Sequence, residues 1–366
     1  MTYRGKIVTP TTVTLLACLV YVFGVLAISE GDPLAFALLG TRFSQGNPQG
    51  TEGYDGQFAY QIALNPLEAA PYLDVPAYRY QRILYPLLAR LFAFAQPALI
   101  PWMLIVVNIA AITVGTWATE RLLLDMRVSR WYALTYGLYG GQMLGLRADL
   151  NEPLAQGLVQ IAMLAWIKDR RILAVVVFSL ATLAKETTLI FLAAYILYTL
   201  KERQWRWVMS LILATVPFAI YQVGLWVWLG SFGVGSGGAG ATPFSFIPFG
   251  GWLAIAQVNI LAFLLISLIV VPMSVFPAIA GLFLSGRDLG RGQSHPYIFS
   301  LLFNSLIILF LPTSTFREPV AMLRLTQGLV VSTILYGGLV RSWRILNYSR
   351  LWLATNVLLI KGVSPE

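Results

Sequence analysis

Two side chains that commonly build metal and redox sites are almost missing from this 366-residue chain, which contains one cysteine and one histidine. The single cysteine, Cys18, excludes disulfides within the chain, cysteine-rich zinc sites and iron–sulfur clusters. The single histidine, His295, excludes multi-histidine metal sites and argues against histidine-based acyl transfer. Charge is scarce too, because Asp, Glu, Lys and Arg make up 11% of the residues, whereas ordinary soluble domains carry about 25%.

Apolar residues are correspondingly abundant. They make up 58% of the chain, and the mean hydropathy is +0.72. Long uncharged runs recur from end to end, which favours an all-α polytopic membrane protein with residues 1–366 in a single transmembrane domain. The formal net charge of +9 does not indicate a nucleic-acid partner, because the basic residues cluster between apolar runs, as membrane topology requires.

About ten transmembrane helices are expected from the apolar runs. They are predicted at residues 8–28, 100–122, 131–147, 153–167, 172–185, 187–200, 207–229, 251–284, 297–312 and 319–339. The first run resembles a signal peptide but is long enough to span, so we interpret it as a retained anchor. The 251–284 run contains two prolines and is interpreted as one kinked helix with an interfacial lead-in. The segment 351–361 is short for a span and is expected to form an interfacial helix.

The basic residues also predict the orientation. If the N-terminus is cytoplasmic, most basic clusters between the runs fall on the same side as Arg4 and Lys6, in agreement with the positive-inside rule. This orientation requires that residues 82–95 do not cross the membrane, and we interpret them as an amphipathic juxtamembrane helix on the outer surface. The lack of long loops favours a bacterial inner membrane as the location.

Two outer loops follow from this topology. Residues 29–99 form a long, acidic first extracytoplasmic loop that ends in the juxtamembrane helix, and residues 231–250 form a second, Gly-rich outer loop. The second loop contains a formal GxGxxG at 235–240, but it follows a membrane helix and no Rossmann strand. We therefore interpret it as a flexible lid or linker.

Charged residues at the outer ends of spans are the candidate functional residues, because burying each one costs several kcal/mol unless it is paired or hydrated. They form three groups: Arg147, Asp149 and Glu152 in the turn after the third span; Lys185 and Glu186 at a hairpin tip too short to reach the outer surface; Arg317 and Arg324 at the last span. Arg324 is expected about two turns below Arg317 on nearly the same helical face. Structural roles remain open for each group: a solvated turn, an ion pair, or a snorkelling arginine.

An outward cavity with cations and carboxylates suits a lipid phosphate that reacts at the membrane surface. Cations would hold the phosphate and stabilise it as a leaving group, and a carboxylate would take a proton from an attacking hydroxyl. Glycosyl transfer from a lipid-phosphate sugar requires this division of roles.

Two motifs in the first loop resemble motifs of a known enzyme family. Residues 53–58 read Gly-Tyr-Asp-Gly-Gln-Phe, and residues 78–88 read Tyr-Arg-Tyr-Gln-Arg-Ile-Leu-Tyr-Pro-Leu-Leu. Together with Asn-Glu-Pro at 151–153 and Ala-Lys-Glu-Thr at 184–187, they resemble integral-membrane glycosyltransferases of the GT-C superfamily. The similarity is greatest to the PIG-V-like mannosyltransferase branch, in which an aromatic-Asp motif precedes an aromatic-Pro-Leu surface helix.

The resemblance implies a GT-C fold that uses a polyprenyl-phosphate sugar donor on the extracytoplasmic face, with Asp55 as the catalytic base and a potential metal contact. Many family members carry a second acidic residue after this aspartate, whereas this chain has Gly56 and Gln57. Dependence on Mg²⁺ or Mn²⁺ is therefore left open. Glu52 could supply a second carboxylate if the segment is helical. The hypothesis assigns Lys185, Arg324 and Arg147 or Arg317 to the donor phosphate, and Asp149, Glu152 and Glu186 to the surrounding substrate site.

Two other classes of function remain open from the sequence. A transporter or flippase for a lipid-linked or anionic solute also needs charged groups in a cavity, although such proteins often show inverted repeats that are not evident here. A non-catalytic GT-C-like subunit of a membrane complex is the third reading, and the apolar surface would accommodate membrane-protein partners. The sugar, a hexose such as mannose, and its acceptor are not determined by the sequence.

Overall fold

The computed structural model describes residues 8–359, and in that part of the chain the regular secondary structure is entirely helical. The expected all-α class is confirmed. Arg4 and Lys6, which contributed to the predicted orientation, lie outside the described residues, as does the end of the 351–361 segment.

Within residues 8–359, five helices are long and apolar enough to cross a membrane. They are Pro10–Ile28, Pro97–Asp125, Trp205–Leu229, Ile260–Gly290 and Pro319–Leu339. The length and composition of these helices are compatible with a polytopic membrane protein. The other runs that the sequence predicted as spans form shorter helices, so the expected number of about ten stays a prediction.

The N-terminal part alternates two long helices with short helices of the first loop. Its helices are α1 (Pro10–Ile28), α2 (Leu34–Ala37), α3 (Thr41–Ser44), α4 (Gly56–Leu64), α5 (Pro76–Tyr80), α6 (Leu84–Phe92) and α7 (Ile100–Asp125), with 3₁₀ turns at Ala70–Tyr72 and Pro97–Leu99. Helix α1 begins with a capping box of Thr9 and Thr12 and has Pro10 in its first turn, where a missing N–H costs nothing. Helix α6 confirms a short helix within the 82–95 stretch.

The middle part contains shorter helices joined by tight turns. They are α8 (Ala133–Gly137), α9 (Gly140–Arg147), α10 (Glu152–Ile167), α11 (Arg171–Ala184), α12 (Leu189–Lys201), α13 (Trp205–Leu213) and α14 (Val216–Leu229), with 3₁₀ turns at Arg130–Tyr132 and Glu186–Thr188. Helix α11 packs on α10, whereas α12 packs on the later helix Pro296–Leu309. The two arms on either side of Lys185 therefore have different neighbours.

The C-terminal part contains the longest continuous apolar helix. Its elements are α15 (Gly250–Val258), α16 (Ile260–Val270), a π-helical turn (Val271–Val275), α17 (Phe276–Gly290), α18 (Pro296–Leu309), α19 (Thr313–Arg317), α20 (Pro319–Leu339), α21 (Trp343–Ser349) and a 3₁₀ helix (Arg350–Leu359). The separate α15 agrees with the expected lead-in, which ends where Asn259 caps α16 by accepting from the N–H of Ala262. The π turn begins next to Pro272, which has no backbone N–H for a regular helical hydrogen bond.

The predicted span at 131–147 is not one helix, because it breaks between α8 and α9. The C-terminal segment makes this break stable: Asn356 donates to the carbonyl of Leu138 at 2.7 Å, and Thr355 accepts from the N–H of Gly140 at 3.1 Å. The 3₁₀ helix is thus packed against the bundle, with Trp352 fully buried, and its position at a membrane interface stays a prediction. Its polar side chains satisfy backbone groups that the break exposes.

Helices α7, α10 and α20 form the centre of the bundle. Helix α7 packs against α1, α6, α8 and α10, and α20 packs against α9, α18 and α21. Arg324 in the second turn of α20 pairs with Glu152 at the start of α10 at 2.6 Å, so the N-terminal ends of the two helices lie together at one end of the molecule. Charged residues from three distant parts of the sequence meet there.

Candidate functional site

Asp55 lies at the N-terminus of α4, in a part of the first loop that glycines allow to pack tightly. Gly53 has a φ of +72°, which side chains other than glycine adopt at a cost. A Cβ on Gly56 would lie 2.1 Å from the carbonyl oxygen of Ala148. The Gly-Tyr-Asp-Gly sequence therefore places Asp55 directly against the turn that precedes α10.

Gln57 holds the same segment in place. Its side-chain amide donates to the carbonyl of Glu52 at 2.7 Å and accepts from the N–H of Gly40 at 3.0 Å. The residue is almost completely buried. Gln57 thus holds two backbone groups of the first loop together, which requires both a donor and an acceptor.

Each carboxylate oxygen of Asp55 forms an ion pair with a different arginine. Arg79 Nη1 lies 3.0 Å from Oδ1, and Arg324 Nη1 lies 2.6 Å from Oδ2. Arg79 comes from the first loop, and Arg324 comes from the second turn of α20. Because the Asp55 side chain is 25% exposed, it remains accessible from outside while both its oxygens are engaged.

Arg324 connects Asp55 to a second, deeper carboxylate. Its Nε donates to Glu152 Oε1 at 2.6 Å, and the same oxygen accepts from Lys185 Nζ at 2.5 Å. The Glu152 side chain is 2% exposed. A carboxylate buried this deeply is tolerated only because two cations bind it.

Arg82 and Glu186 form the other edge of the site. Arg82 donates through Nε and Nη2 to both carboxylate oxygens of Glu186, at 2.9 and 2.6 Å, which is a bidentate pair. Tyr78 accepts a further hydrogen bond from Arg82 at 2.7 Å. Asn151 donates to the carbonyl oxygen of Arg82 at 3.3 Å, so this arginine is fixed to the turn before α10.

A fourth carboxylate links the site to the Gly-rich outer loop. Asp74 accepts from Arg79 at 2.6 and 2.7 Å, and its Oδ2 also accepts from the N–H of Ala239 at 3.0 Å. A Cβ on Gly238 would lie 2.9 Å from Arg79 Nη2. The Gly-rich loop therefore lies directly over the Arg79–Asp74 pair. We call the eight side chains the charge cluster: Asp55, Asp74, Arg79, Arg82, Glu152, Lys185, Glu186 and Arg324.

The arginines determine the ionisation of Asp55. Burial alone would raise its pKa, but the guanidinium groups of Arg79 and Arg324 outweigh burial and hold the pKa well below its usual range. The pKa of Asp74 is also lowered, because the hydrogen bonds and charge of Arg79 exceed the effect of burial. Both groups are anionic at neutral pH, and the cluster contains four cations and four carboxylates.

Asp149 behaves differently from the carboxylates of the cluster. It is completely buried, has a φ of 47° and lies beside the Tyr85 hydroxyl. Burial raises the pKa of Asp149 well above its usual range, and the nearby charge of Arg147 reverses this only in part. Burial thus disfavours the charged form of Asp149, and the residue packs under the site without an ion pair to the cluster.

Besides Asp149, three residues from the sequence-based set lie outside the charge cluster. Glu52 pairs with Arg42 at 2.5 Å on the exposed surface, and the helix that would have carried it toward Asp55 begins only at Gly56. Arg147 donates to the carbonyl of Ala35 at 2.7 Å. Arg317 is exposed at the end of α19.

The shared helical face expected for Arg317 and Arg324 does not exist. Glu318 has an extended backbone, with φ −110° and ψ 103°, so α19 and α20 are separate helices. Pro319 disfavours a helical conformation at the residue before it. Spacing of seven residues therefore does not place the two arginines on one face.

Sequence reasoning missed Arg79, Arg82 and Asp74 as site residues. The two arginines were recognised only as parts of the surface-helix motif. Their signal was a pair of cations at i and i+3 in an otherwise acidic loop, a spacing that puts both on one side of a helical turn. Asp74 carried no comparable signal.

The cleft beside Asp55 is narrow. It is lined by Phe58, Ile62 and Pro86 together with Arg79, Arg82 and Asn151, and its volume is about 10 Å³. That is room for about one water molecule. In this conformation the site is closed to a sugar phosphate.

The arrangement around Asp55 does not suit a divalent cation. Both of its oxygens are bound by guanidinium groups, and the positive charge of those groups would repel Mg²⁺ or Mn²⁺. Among residues 8–359, no three His, Cys, Asp or Glu side chains converge in a metal-binding geometry.

Comparison of the chain with protein-family models, with curated proteins and with solved structures finds no match. The geometry of the charge cluster is therefore the basis for assigning a function.

Proposed function

We propose that this protein is a membrane glycosyltransferase that moves a hexose from a polyprenyl-phosphate sugar to an acceptor hydroxyl, with inversion, on the extracytoplasmic face of a bacterial inner membrane. The observation that carries the proposal is the position of Asp55 between Arg79 and Arg324. The candidate base, Asp55, is therefore in direct contact with two arginines that could bind a phosphate.

The cations of the cluster fit the leaving group of this reaction. Guanidinium groups bind phosphate oxygens through two parallel hydrogen bonds, and Arg79 and Arg324 each pair with one oxygen of Asp55. Lys185 is held beneath them by Glu152 at 2.5 Å. These groups would stabilise the negative charge that develops on the phosphate as the sugar leaves.

Charge balance explains how Asp55 would become a base. A general base is most effective when its pKa lies near the working pH, whereas the two arginines hold the pKa of Asp55 far below that value. A donor phosphate that binds Arg79 and Arg324 would supply the negative charge that Asp55 now provides. With its partners engaged elsewhere, Asp55 regains a higher pKa.

The chemical step is a single displacement. The acceptor oxygen bonds to the anomeric carbon while the bond from that carbon to the phosphate oxygen breaks. The phosphate leaves with the electron pair, and the acceptor proton passes to Asp55. No covalent enzyme intermediate is required, in accord with the lack of a Ser/His or Cys/His pair.

The donor enters only when the closed cleft opens. The Gly-rich loop, residues 233–241, is the mobile element in this proposal, because the bond from Ala239 to Asp74 ties it to the arginine that would bind the phosphate. When Arg79 turns toward a phosphate, Asp74 loses a partner and the loop is released. No step involves a metal.

Binding of polyprenyl phosphate tests the proposal. Purified protein is titrated with undecaprenyl phosphate and examined by native mass spectrometry, with Arg324→Gln and Arg79→Gln as the site variants. Arg42→Gln is the matched control, because Arg42 is a first-loop arginine that pairs with an exposed carboxylate outside the cluster. We expect binding to weaken at least tenfold in the site variants and to stay unchanged in the control.

Turnover is measured with a panel of undecaprenyl-phosphate hexoses in lipid nanodiscs. Slow release of free sugar to water, lost in Asp55→Asn, is the expected sign of catalysis before the acceptor is known. Lipid binding without sugar release from any donor would favour the transporter or non-catalytic reading. Equal binding by wild type and both site variants would overturn the assignment of the phosphate site.

A further inference from the structure

A second cavity lies at the opposite end of α20 from the charge cluster. Tyr336, one of its lining residues, is twelve residues after Arg324, which corresponds to about 18 Å along a helix. The cavity is lined by residues of α17, α18, α20 and α21 and has a volume of about 250 Å³. It shares no residue with the charge cluster.

The walls of this cavity are mainly apolar and include exposed residues of α17. Phe276, Ala280 and Leu284 line it from one helix, and Ile345 faces them from α21. Phe276 is 54% exposed. An apolar cavity of this size does not hold ordered water, so in a membrane the neighbouring hydrocarbon is the natural occupant.

The kink in the long helix builds the cavity and is fixed by two hydrogen bonds. Pro272 and Pro277 interrupt the regular pattern at the π turn, which leaves carbonyl oxygens without helical partners. Tyr348 donates to the carbonyl of Pro272, and Trp352 Nε1 donates to the carbonyl of Met273 at 2.9 Å. The wall formed by α17 is therefore held open by the C-terminal segment.

One unpaired cation lies at the edge of the cavity. Arg344 is exposed and lines the cavity, and no ion pair to it is found within residues 8–359. Arg287, by contrast, is neutralised by Asp288 at 2.7 Å, and Asp288 also accepts from the Tyr336 hydroxyl at 2.6 Å. The free positive charge at the mouth is thus that of Arg344.

We propose that this cavity binds one anionic phospholipid, with an acyl chain between α17 and α21 and the headgroup phosphate on Arg344. The apolar walls select a hydrocarbon chain, and the unpaired guanidinium selects a negatively charged headgroup over a zwitterionic one. Because the basic residues after α17 and α20 surround this end, the lipid belongs to the leaflet opposite the charge cluster. The proposal is independent of the glycosyltransferase assignment.

Two variants separate the contributions of the chain and the headgroup. Ala280→Leu fills the cavity, and Arg344→Gln removes the charge while keeping a polar side chain. Gly286→Leu is the control for the first, since a Cβ at Gly286 on the same helix meets nothing within 4 Å. Arg341→Gln is the control for the second, because Arg341 is exposed and bonds the carbonyl of Met126 at 3.2 Å without lining the cavity.

The protein is reconstituted in nanodiscs of equal phosphatidylcholine and phosphatidylglycerol, transferred to detergent, and examined by native mass spectrometry. We expect wild type and both controls to retain one phosphatidylglycerol. Ala280→Leu should reduce lipid retention at least tenfold. Arg344→Gln should still retain a lipid, but the ratio of retained phosphatidylglycerol to retained phosphatidylcholine should fall to about one.

Three results would overturn the proposal. They are equal retention of both lipids by wild type, unchanged retention by Ala280→Leu, and a dimer that excludes lipid from this face. A thermal-unfolding midpoint within a few degrees of wild type confirms that each variant is folded. If Ala280→Leu fails this check, Ala280→Val is measured in its place.

Discussion

Arg324 Nη1 lies 2.6 Å from Asp55 Oδ2, so a residue of the last long helix closes an ion pair with the first loop. The same guanidinium reaches Glu152 through Nε at 2.6 Å. Arg324 therefore joins a solvent-accessible carboxylate to a buried one. This bridge makes the loop conformation and the helix packing depend on each other.

Replacement of Asp55 by asparagine separates catalysis from donor binding. Transfer should fall by about 10²–10⁴-fold, the usual contribution of a general base. Binding of undecaprenyl phosphate should be equal to or tighter than wild type, because Arg79 and Arg324 lose a competing anion. Turnover assays and native mass spectrometry measure the two effects. Wild-type turnover in Asp55→Asn would remove the base assignment.

Glu152→Gln should destabilise the protein strongly. It leaves Lys185, whose side chain is 5% exposed, without its carboxylate, and breaking a buried pair costs about 3–5 kcal/mol. Glu52→Gln is the matched control, since it disrupts an exposed pair and should change stability by less than about 1 kcal/mol. Thermal unfolding in detergent compares the two. Similar shifts in both variants would contradict the structural importance of the buried bridge.

Gly56→Ala should displace Asp55 from the site. The new Cβ would lie 2.1 Å from the Ala148 carbonyl oxygen, and such overpacking costs about 1–3 kcal/mol. Gly24→Ala is the control, because nothing lies within 4 Å of a Cβ at that position. We expect reduced stability and turnover only in Gly56→Ala. The prediction fails if both alanine variants keep wild-type turnover.

The contribution of Asp74 should depend on pH in a defined direction. Its pKa in the folded protein is lowered below the ordinary 3.8, so the ionised group stabilises the fold at higher pH. This contribution is present above the unfolded-state pKa of about 3.9 and is lost as the pH falls through the lower folded-state pKa. The difference in Tm between wild type and Asp74→Asn should therefore shrink below about pH 4. A difference that stays constant from pH 7 to pH 3 would contradict it.

Much of the helical framework could be predicted from apolar runs. Helix α20 has the expected bounds 319–339, and the runs at 153–167 and 297–312 correspond closely to α10 and α18. Prediction of helices from the sequence failed where tertiary contacts override the local apolar pattern. The run 131–147 looks continuous, yet Asn356 and Thr355 from the far end of the chain stabilise a break within it.

The candidate site was predictable in part. Glu152, Lys185, Glu186 and Arg324 were identified because charge is costly at the ends of apolar helices, and Asp55 was identified through the resemblance of the first loop. Arg79 and Arg82 were not, since their roles depend on how the first loop folds over α10. Arg317 was included because spacing suggested a shared helical face, which the extended backbone at Glu318 removes.

The sequence alone determined that the chain is helical and rich in long apolar runs, and it showed which charged residues are out of place in such a chain. Hydropathy and charge are local properties, so the linear order of residues reveals them. Only the tertiary structure decided which charges meet: Arg79 and Arg324 with Asp55, Lys185 with Glu152, and Arg82 with Glu186. Ion pairing acts over a few ångströms in space, and contacts between residues far apart in sequence depend on how the helices and the first loop pack.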